Sequence, residues 1–199
     1  TIARLDRILL DISLSDDPNP LTRDGVIQRK VQDMLHEFRM IPLLLDVLDA
    51  VMELVPVEDI VNTRLFGFDL LNIVQTCYRV LRQLCHNNDP VSRVLCDNLP
   101  RLESKFGYKF NVVTVVTEVF NGTPDLIRTV KPSLIEEVWS LALSQRHESF
   151  LKFLCVVLES EDGTPIKFNQ DKVTSVLLTK NFPEKSAVDT SCPFFERDW

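Results

Sequence analysis

The chain has 199 residues, of which 45% are hydrophobic and 26% charged, and these fractions are typical of a folded globular domain. Its 22 basic and 29 acidic residues give a formal net charge of −7, which disfavours nucleic acid and anionic membrane surfaces as partners. No apolar run approaches the roughly 18 residues that a membrane span needs, so we expect no direct membrane contact from this segment. It begins with TIARLDRILLDI, which has no secretion signal and lies within a helical pattern, so we expect it to be an excised part of a longer polypeptide.

Helical periodicity dominates the first third of the chain, where apolar residues recur at steps of three and four. A first helix is predicted over residues 1–14, and the following SDDPNP supplies turn residues that cannot continue it. A second helix is predicted from about Asp24 to Phe38. Pro42 lies near the start of a third, where its missing N–H costs little.

Residues 70–85 predict an amphipathic helix of about five turns. Its apolar face contains Leu70, Ile73, Val74, Cys77, Tyr78, Leu81, Leu84 and Cys85. Its polar face contains Asn72, Gln75, Arg79, Arg82 and His86. In the HNNDP corner that follows, Asn88 or Asp89 can cap the next helix and Pro90 lies just inside it. We interpret Arg79, Arg82 and His86 as candidates for an interaction surface, against the alternative of an ordinary solvated helix face.

The second half of the chain continues the helical pattern. Residues 109–121 are rich in valine and threonine, yet their paired valines break a strand alternation, so we predict a helix. Two further helices are predicted in PSLIEEVWSLALSQR and SFLKFLCVVLESEDG, and the second of these is apolar nearly all round, which predicts burial on every side. A last short helix is predicted in NQDKVTSVLL.

These elements predict an all-α fold, an armadillo-like helical superhelix of about nine helices in a single domain. We place the domain at residues 1–180 and an irregular C-terminal tail at residues 181–199. The five cysteines form no CxxC pair, and we expect Cys77, Cys85, Cys96 and Cys155 to be core residues in a reducing compartment such as the cytosol.

Catalytic and metal-binding motifs are not evident in the sequence. The three histidines lack a second ligand at helical spacing, and neither GxSxG nor a glycine-rich phosphate loop occurs. We therefore predict no catalytic residue, no metal site and no cofactor.

Two stretches resemble a known family. CYRVLRQLCHNNDPVSRVL and FLKFLCVVLESEDGTPIKFNQDKV are similar to the RIH domain, the homology domain of inositol trisphosphate and ryanodine receptors. The similarity covers roughly residues 25–180. In the second stretch it is carried by Phe153, Leu154, Gly163, Ile166, Lys167, Gln170 and Asp171.

The resemblance implies a regulatory domain of a homotetrameric calcium-release channel. Such a domain would lie on the cytoplasmic face of the endoplasmic or sarcoplasmic reticulum and contact other domains and subunits of the same channel. Its function would be to relay ligand binding to a distant pore through shifts of rigid helical layers, without forming the pore.

One copy of this domain in the trisphosphate receptors also forms half of the ligand site, through basic residues on the second helix and after the Asn-rich corner. The matching positions on the second helix are Arg29, Asp33 and His36, and those after the corner are Pro90, Val91 and Ser92. Only Arg29 retains the required charge. Inositol trisphosphate binding through Arg29 is therefore the alternative function, and the rest of the ligand site is not transferred.

Two further classes of protein function remain possible from the sequence. A free-standing helical adaptor would need a continuous polar and aromatic groove, whereas an enzyme would need a cluster of perturbed titratable groups in a pocket.

Overall fold

The computed structural model describes residues 2–19, 22–23, 25–60, 62–65, 68–108, 110–160 and 163–181. Within these residues eleven α-helices form: α1 (Ile2–Ile12), α2 (Arg29–Glu37), α3 (Met40–Leu54), α4 (Leu70–Cys85), α5 (Asp89–Asp97), α6 (Leu99–Glu103), α7 (Val112–Phe120), α8 (Pro124–Ile127), α9 (Pro132–Gln145), α10 (Glu148–Leu158) and α11 (Lys167–Asn181). The predicted all-α fold is confirmed. Helices α6 and α8 are only five and four residues long, and the other nine agree with the predicted number.

The remaining regular structure is short. A 3-10 turn covers Val57–Asp59. Two antiparallel two-residue pairs also form, β1 (Ser13–Leu14) with β2 (Val26–Ile27) and β3 (Arg64–Leu65) with β4 (Phe68–Asp69). None of the described helices has the length and apolar character required to cross a membrane.

Side-chain caps fix the start of helices α4 and α5. Asp69 precedes α4 and accepts hydrogen bonds from the backbone N–H groups of Leu71 at 3.0 Å and Asn72 at 3.4 Å. Asn88 precedes α5 and accepts from the N–H of Val91 at 3.5 Å. Such caps satisfy donors that have no partner within the helix, so Asn88 stops one helix and starts the next, as the HNNDP pattern predicts.

Helices α4 and α7 form the centre of the fold. Helices α1 and α3 pack on α4, α4 packs on α7, α7 on α10, α10 on α9, and α9 on α11. Both central helices are buried around most of their circumference. The aromatic rings of Phe120 on α7 and Phe153 on α10 meet edge to face, with centroids 6.0 Å apart. This succession of layers is the kind of packing that the predicted superhelix requires.

The valine-rich segment 109–121 is helical between Val112 and Phe120, which confirms the prediction for it. Seven of these nine residues are buried. Burial against α4 and α10 outweighs the weak strand preference of valine and threonine, because tertiary packing contributes more free energy than intrinsic propensity.

Three predictions about helices are corrected. Helix α2 begins at Arg29 rather than near residue 24, because Val26 and Ile27 pair with β1 in an extended conformation; Asp24 itself lies outside the described residues. Helix α11 has 15 residues and is not short. Helix α10 is not buried on every side, since Leu151 is 52% exposed.

The predicted core position of the cysteines holds for only two of them. Cys77 and Cys85 are buried, whereas Cys96 is half-buried and Cys155 is exposed on α10. Burial raises the pKa of the Cys77 thiol to about 12. The predicted C-terminal tail lies outside the described residues from residue 182 onward, and the division into residues 1–180 and a tail stays a prediction.

Candidate functional site

Helix α2 packs against the corner between α4 and α5 and forms hydrogen bonds with it. The Gln32 side chain is 1% exposed and its Nε2 donates to the backbone oxygens of Gln83 at 2.8 Å and His86 at 2.9 Å. These carbonyls belong to the end of α4, where the helix itself offers no donor. Asn88 Nδ2 lies 3.3 Å from Gln32 Oε1, so one buried network joins the two sides of the corner.

Arg29, the predicted ligand-binding candidate, is engaged at the same corner. Its guanidinium pairs with Asp33 one turn later, with Nε 3.0 Å from Oδ1. Its Nη1 also donates to the backbone oxygen of Asn87 at 2.7 Å. Both ion-paired side chains are about half exposed, so they are accessible to solvent while they tie α2 to the corner.

Glu118 on α7 connects the corner to the next layer. Its side chain is only 8% exposed, and its two oxygens lie 2.6 Å from His86 Nδ1 and 3.3 Å from Arg82 Nε. Because a carboxylate can only accept hydrogen bonds, His86 Nδ1 carries the proton in this pair. Glu118 therefore connects Arg82 of α4 and His86, the residue after α4, to α7 through charge-assisted hydrogen bonds.

The loop between α1 and α2 contacts α4 at Arg79 and Gln83. Arg23 in this loop is 7% exposed, and its guanidinium donates to the backbone oxygens of Ser13 at 3.0 Å and Asp17 at 2.6 Å. Its own carbonyl accepts from Arg79 Nη2 and from Gln83 Nε2. A buried guanidinium is tolerated here because carbonyl oxygens satisfy its donors.

A small pocket of about 190 Å³ lies between this loop, α4 and α7. It is lined by Gly25, Ile27, Arg82, Gln83, His86 and Glu118. Gln83 Oε1 is buried here without a hydrogen-bond partner among the described residues. A space of this size holds a few water molecules, each of which needs two to four polar partners.

The predicted interaction-surface residues thus have contacts within the chain. Arg82 and His86 pair with Glu118, and Arg79 donates to the loop carbonyl of Arg23. The face is not simply solvated, since the loop and α7 cover it in part. That these residues also contact a neighbouring domain stays a prediction.

Sequence reasoning missed Glu118, Gln32 and Arg23. A signal existed for Glu118, because it is the one charged residue in the apolar run VVTVVTEVF, and a charge within an otherwise buried helix requires a partner. Gln32 and Arg23 carried no comparable signal, since polar residues at the start of a helix and in a turn are ordinary.

The network has no evident catalytic chemistry. Among the described residues no group of three or more histidine, cysteine, aspartate or glutamate side chains is arranged to hold a metal ion. The arrangement instead connects α2, the loop before it, the α4–α5 corner and α7 into one hydrogen-bonded unit.

A layered stack of helices whose layers are joined by buried polar groups defines an all-α domain. The family model for the RIH domain matches residues 13–184, so the chain belongs to the RIH domain family. That family points to channels of the inositol trisphosphate and ryanodine receptor type. A comparison with curated proteins gives no significant match.

Proposed function

We propose that this chain is a cytosolic regulatory domain of a tetrameric intracellular calcium-release channel, of the inositol trisphosphate or ryanodine receptor type. In this proposal it relays ligand binding to the pore, lies on the cytoplasmic face of the endoplasmic or sarcoplasmic reticulum, and contacts other domains and subunits of the channel. It has neither pore-forming nor catalytic function.

The observation that carries the proposal is the bridge from Glu118 to Arg82 and His86, in a chain that belongs to the RIH family. A relay domain must move as packed layers rather than deform continuously, because close-packed interiors change between discrete arrangements. Glu118 joins two such layers, so a displacement at the α4–α5 corner is transmitted to α7 and then, through the Phe120–Phe153 contact, to α10.

The test is Glu118→Gln in the full-length channel subunit that contains this domain, with ligand-dependent calcium release as the readout. We expect the ligand concentration for half-maximal release to shift by about 2- to 30-fold, which corresponds to a change in coupling of about 0.5–2 kcal/mol. The unitary conductance of the open channel should not change, because the substitution lies outside the pore.

Glu53→Gln is the matched control, since Glu53 is an exposed carboxylate at the end of α3. An unchanged ligand response in a correctly folded Glu118→Gln channel would argue against the relay, and an altered conductance would place the domain at the pore.

The alternative, an inositol trisphosphate half-site, depends on Arg29. Its guanidinium would have to exchange its contacts with Asp33 and Asn87 for a phosphate, and Asp33 would repel that phosphate. Calorimetric titration of the chain with inositol trisphosphate at low and moderate salt tests this, with Arg29→Ala as the control. Saturable binding that Arg29→Ala weakens would favour the half-site, whereas the relay proposal expects no heat of binding.

A further inference from the structure

Two Thr-Pro dipeptides occur in the chain, at Thr123–Pro124 and at Thr164–Pro165. Proline-directed serine and threonine kinases require a proline directly after the residue that they phosphorylate. Proline has no backbone N–H, so it fits an enzyme pocket in which any other residue would bury an unpaired donor. By sequence alone, both threonines are therefore candidate targets of such a kinase.

The structure distinguishes the two threonines by their exposure. Thr123 is 2% exposed, and its carbonyl accepts from the N–H groups of Leu126 at 3.0 Å and Ile127 at 3.1 Å at the start of α8. Thr164 and Pro165 are both exposed. A kinase must bring the target hydroxyl to the γ-phosphate of ATP, which it cannot do for a buried threonine unless the region unfolds. Thr164 is therefore the accessible one of the two in the folded chain.

Thr164 lies in the non-helical segment between α10 and α11. A following proline disfavours the helical conformation, so an extended backbone is expected for Thr164. Pro165 forms an isolated antiparallel bridge with Glu159, and the Thr164 carbonyl accepts from the Ser160 N–H and hydroxyl, each at 3.0 Å. An extended segment can enter an enzyme cleft, whereas a helix must first unwind.

A basic residue lies three positions after Thr164. It is Lys167, the exposed first residue of α11, so that residues 164–167 have the sequence TPIK. Cyclin-dependent kinases, one group of proline-directed kinases, select a cation at this spacing through complementary charge. The equivalent position after Thr123 is Leu126, so the buried dipeptide also lacks this feature.

We propose that Thr164 is a phosphorylation site for a proline-directed kinase that selects a basic residue three positions further on. Thr164 Oγ1 attacks the γ-phosphorus of magnesium-bound ATP. The new bond from Oγ1 to phosphorus forms as the bond to the β,γ-bridging oxygen breaks, ADP leaves, and the hydroxyl proton passes to the catalytic aspartate of the kinase. The proposal goes beyond the relay function and does not depend on it.

The modification changes the charge of a surface groove at the junction of α10 and α11. Thr164 lines this groove of about 1000 Å³, and charged residues of both signs, Glu159, Arg128 and Lys167, line it as well. A phosphothreonine carries about −1.5 to −2 charges at pH 7. Phosphorylation therefore makes the groove more acidic and alters its electrostatic complementarity to any partner.

The test is incubation of the folded 199-residue chain with a purified cyclin-dependent kinase, ATP and Mg²⁺, with the modified residue identified by mass spectrometry. We expect phosphate on Thr164. Thr164→Val, which keeps the shape but lacks the hydroxyl, should abolish incorporation, and Thr164→Ser should retain it. Pro165→Ala should slow incorporation by about tenfold, since it restores a backbone N–H. Lys167→Ala should slow it by about threefold through loss of the cation.

Thr123→Val is the matched control, because it removes the hydroxyl of the buried dipeptide, and it should leave incorporation unchanged. A synthetic peptide of residues 159–169, ESEDGTPIKFN, separates the motif from the fold and should also be phosphorylated on Thr164. Circular dichroism and the melting temperature of each variant verify that the chain remains folded.

Phosphorylation of the peptide without phosphorylation of the folded chain would overturn the proposal, because the fold would then hide Thr164. A lack of phosphate on both would overturn it too, as would phosphate that maps to Thr123 or persists in Thr164→Val. Since none of these readouts involves channel activity, failure here leaves the relay proposal to its own test.

Discussion

His86 Nδ1 lies 2.6 Å from Glu118 Oε1, so the residue that ends α4 is joined to the last turn of α7 by a charge-assisted hydrogen bond. On the other side of the ring, Asn87 Nδ2 is 3.4 Å from His86 Nε2. Both ring nitrogens of His86 therefore have a polar side chain within reach, one from α7 and one from the corner itself. The corner is thereby oriented by side chains from two layers.

Replacing Glu118 with glutamine should destabilise the fold. The substitution keeps the shape of the side chain but removes the charge that Arg82 and His86 contact, so we expect a loss of about 1–3 kcal/mol in the free energy of unfolding. Urea denaturation followed by circular dichroism measures it. A double-mutant cycle with Arg82→Gln should give a coupling energy of at least about 0.5 kcal/mol, and additive effects would show that the pair contributes nothing.

Gln32→Leu should lower the free energy of unfolding, although leucine and glutamine have similar volumes. The leucine fills the same buried space but leaves the Gln83 and His86 carbonyls without their side-chain donor, at an expected cost of about 2–3 kcal/mol. Met34→Leu, an exposed position on the same helix, is the control and should change stability by less than about 0.5 kcal/mol. A loss below that value for Gln32→Leu would mean that water replaces the side-chain donor.

Asn169 should be critical for attaching the last helix. It is 0% exposed, and its Nδ2 donates at 2.9 Å to the backbone oxygens of both Ile127 and Val157. Asn169→Leu removes both bonds, so we expect a loss of about 2–3 kcal/mol together with faster hydrogen exchange in α11. Exchange that is unchanged in α11 would contradict the assigned role; Thr174→Ala, at an exposed position of the same helix, is the control.

Asp17, in the loop after α1, should make the stability of the fold depend on pH. The pKa of the Asp17 carboxyl lies below its ordinary value because it accepts hydrogen bonds from the Asn19 N–H and the Thr22 hydroxyl, each at 2.8 Å. A carboxyl whose pKa is lower in the folded state stabilises the fold above its unfolded pKa, and this contribution is lost as the pH falls through the folded value.

Between about pH 5 and pH 3, the melting temperature of the parent chain should therefore fall more steeply than that of Asp17→Asn. Asp16→Asn, a change at the exposed neighbour, should retain the steep fall of the parent. Parallel curves for the parent and Asp17→Asn would exclude a contribution from this carboxyl.

Local pattern was sufficient to predict much of the fold. The 3.6-residue period of apolar side chains predicts the long helices, and the Asn-Asp-Pro corner predicts where α4 stops and α5 starts, because these features depend on neighbours in the sequence. The resemblance carried by the corner and by the Phe-Leu helix indicated the RIH family, which the match over residues 13–184 confirms.

Pairing between distant residues could not be predicted in the same way. The sequence pattern of α4 is also compatible with a solvated polar face. In the structure, however, Arg79 donates to the carbonyl of Arg23, 56 positions earlier, and Arg82 pairs with the carboxylate of Glu118, 36 positions later. At α10 the pattern predicted too much burial. The helix is apolar nearly all round, yet Leu151 and Cys155 are exposed.

The helical class, the helix limits at the α4–α5 corner and the family could therefore be predicted from the sequence, since each follows from periodicity or from a local motif. Which polar groups form contacts depends on the packing of the helices. The contacts of Glu118, Gln32 and Arg23 arise when layers from separate parts of the chain stack. The free energy of those contacts depends on burial and distance, which no single stretch of sequence contains.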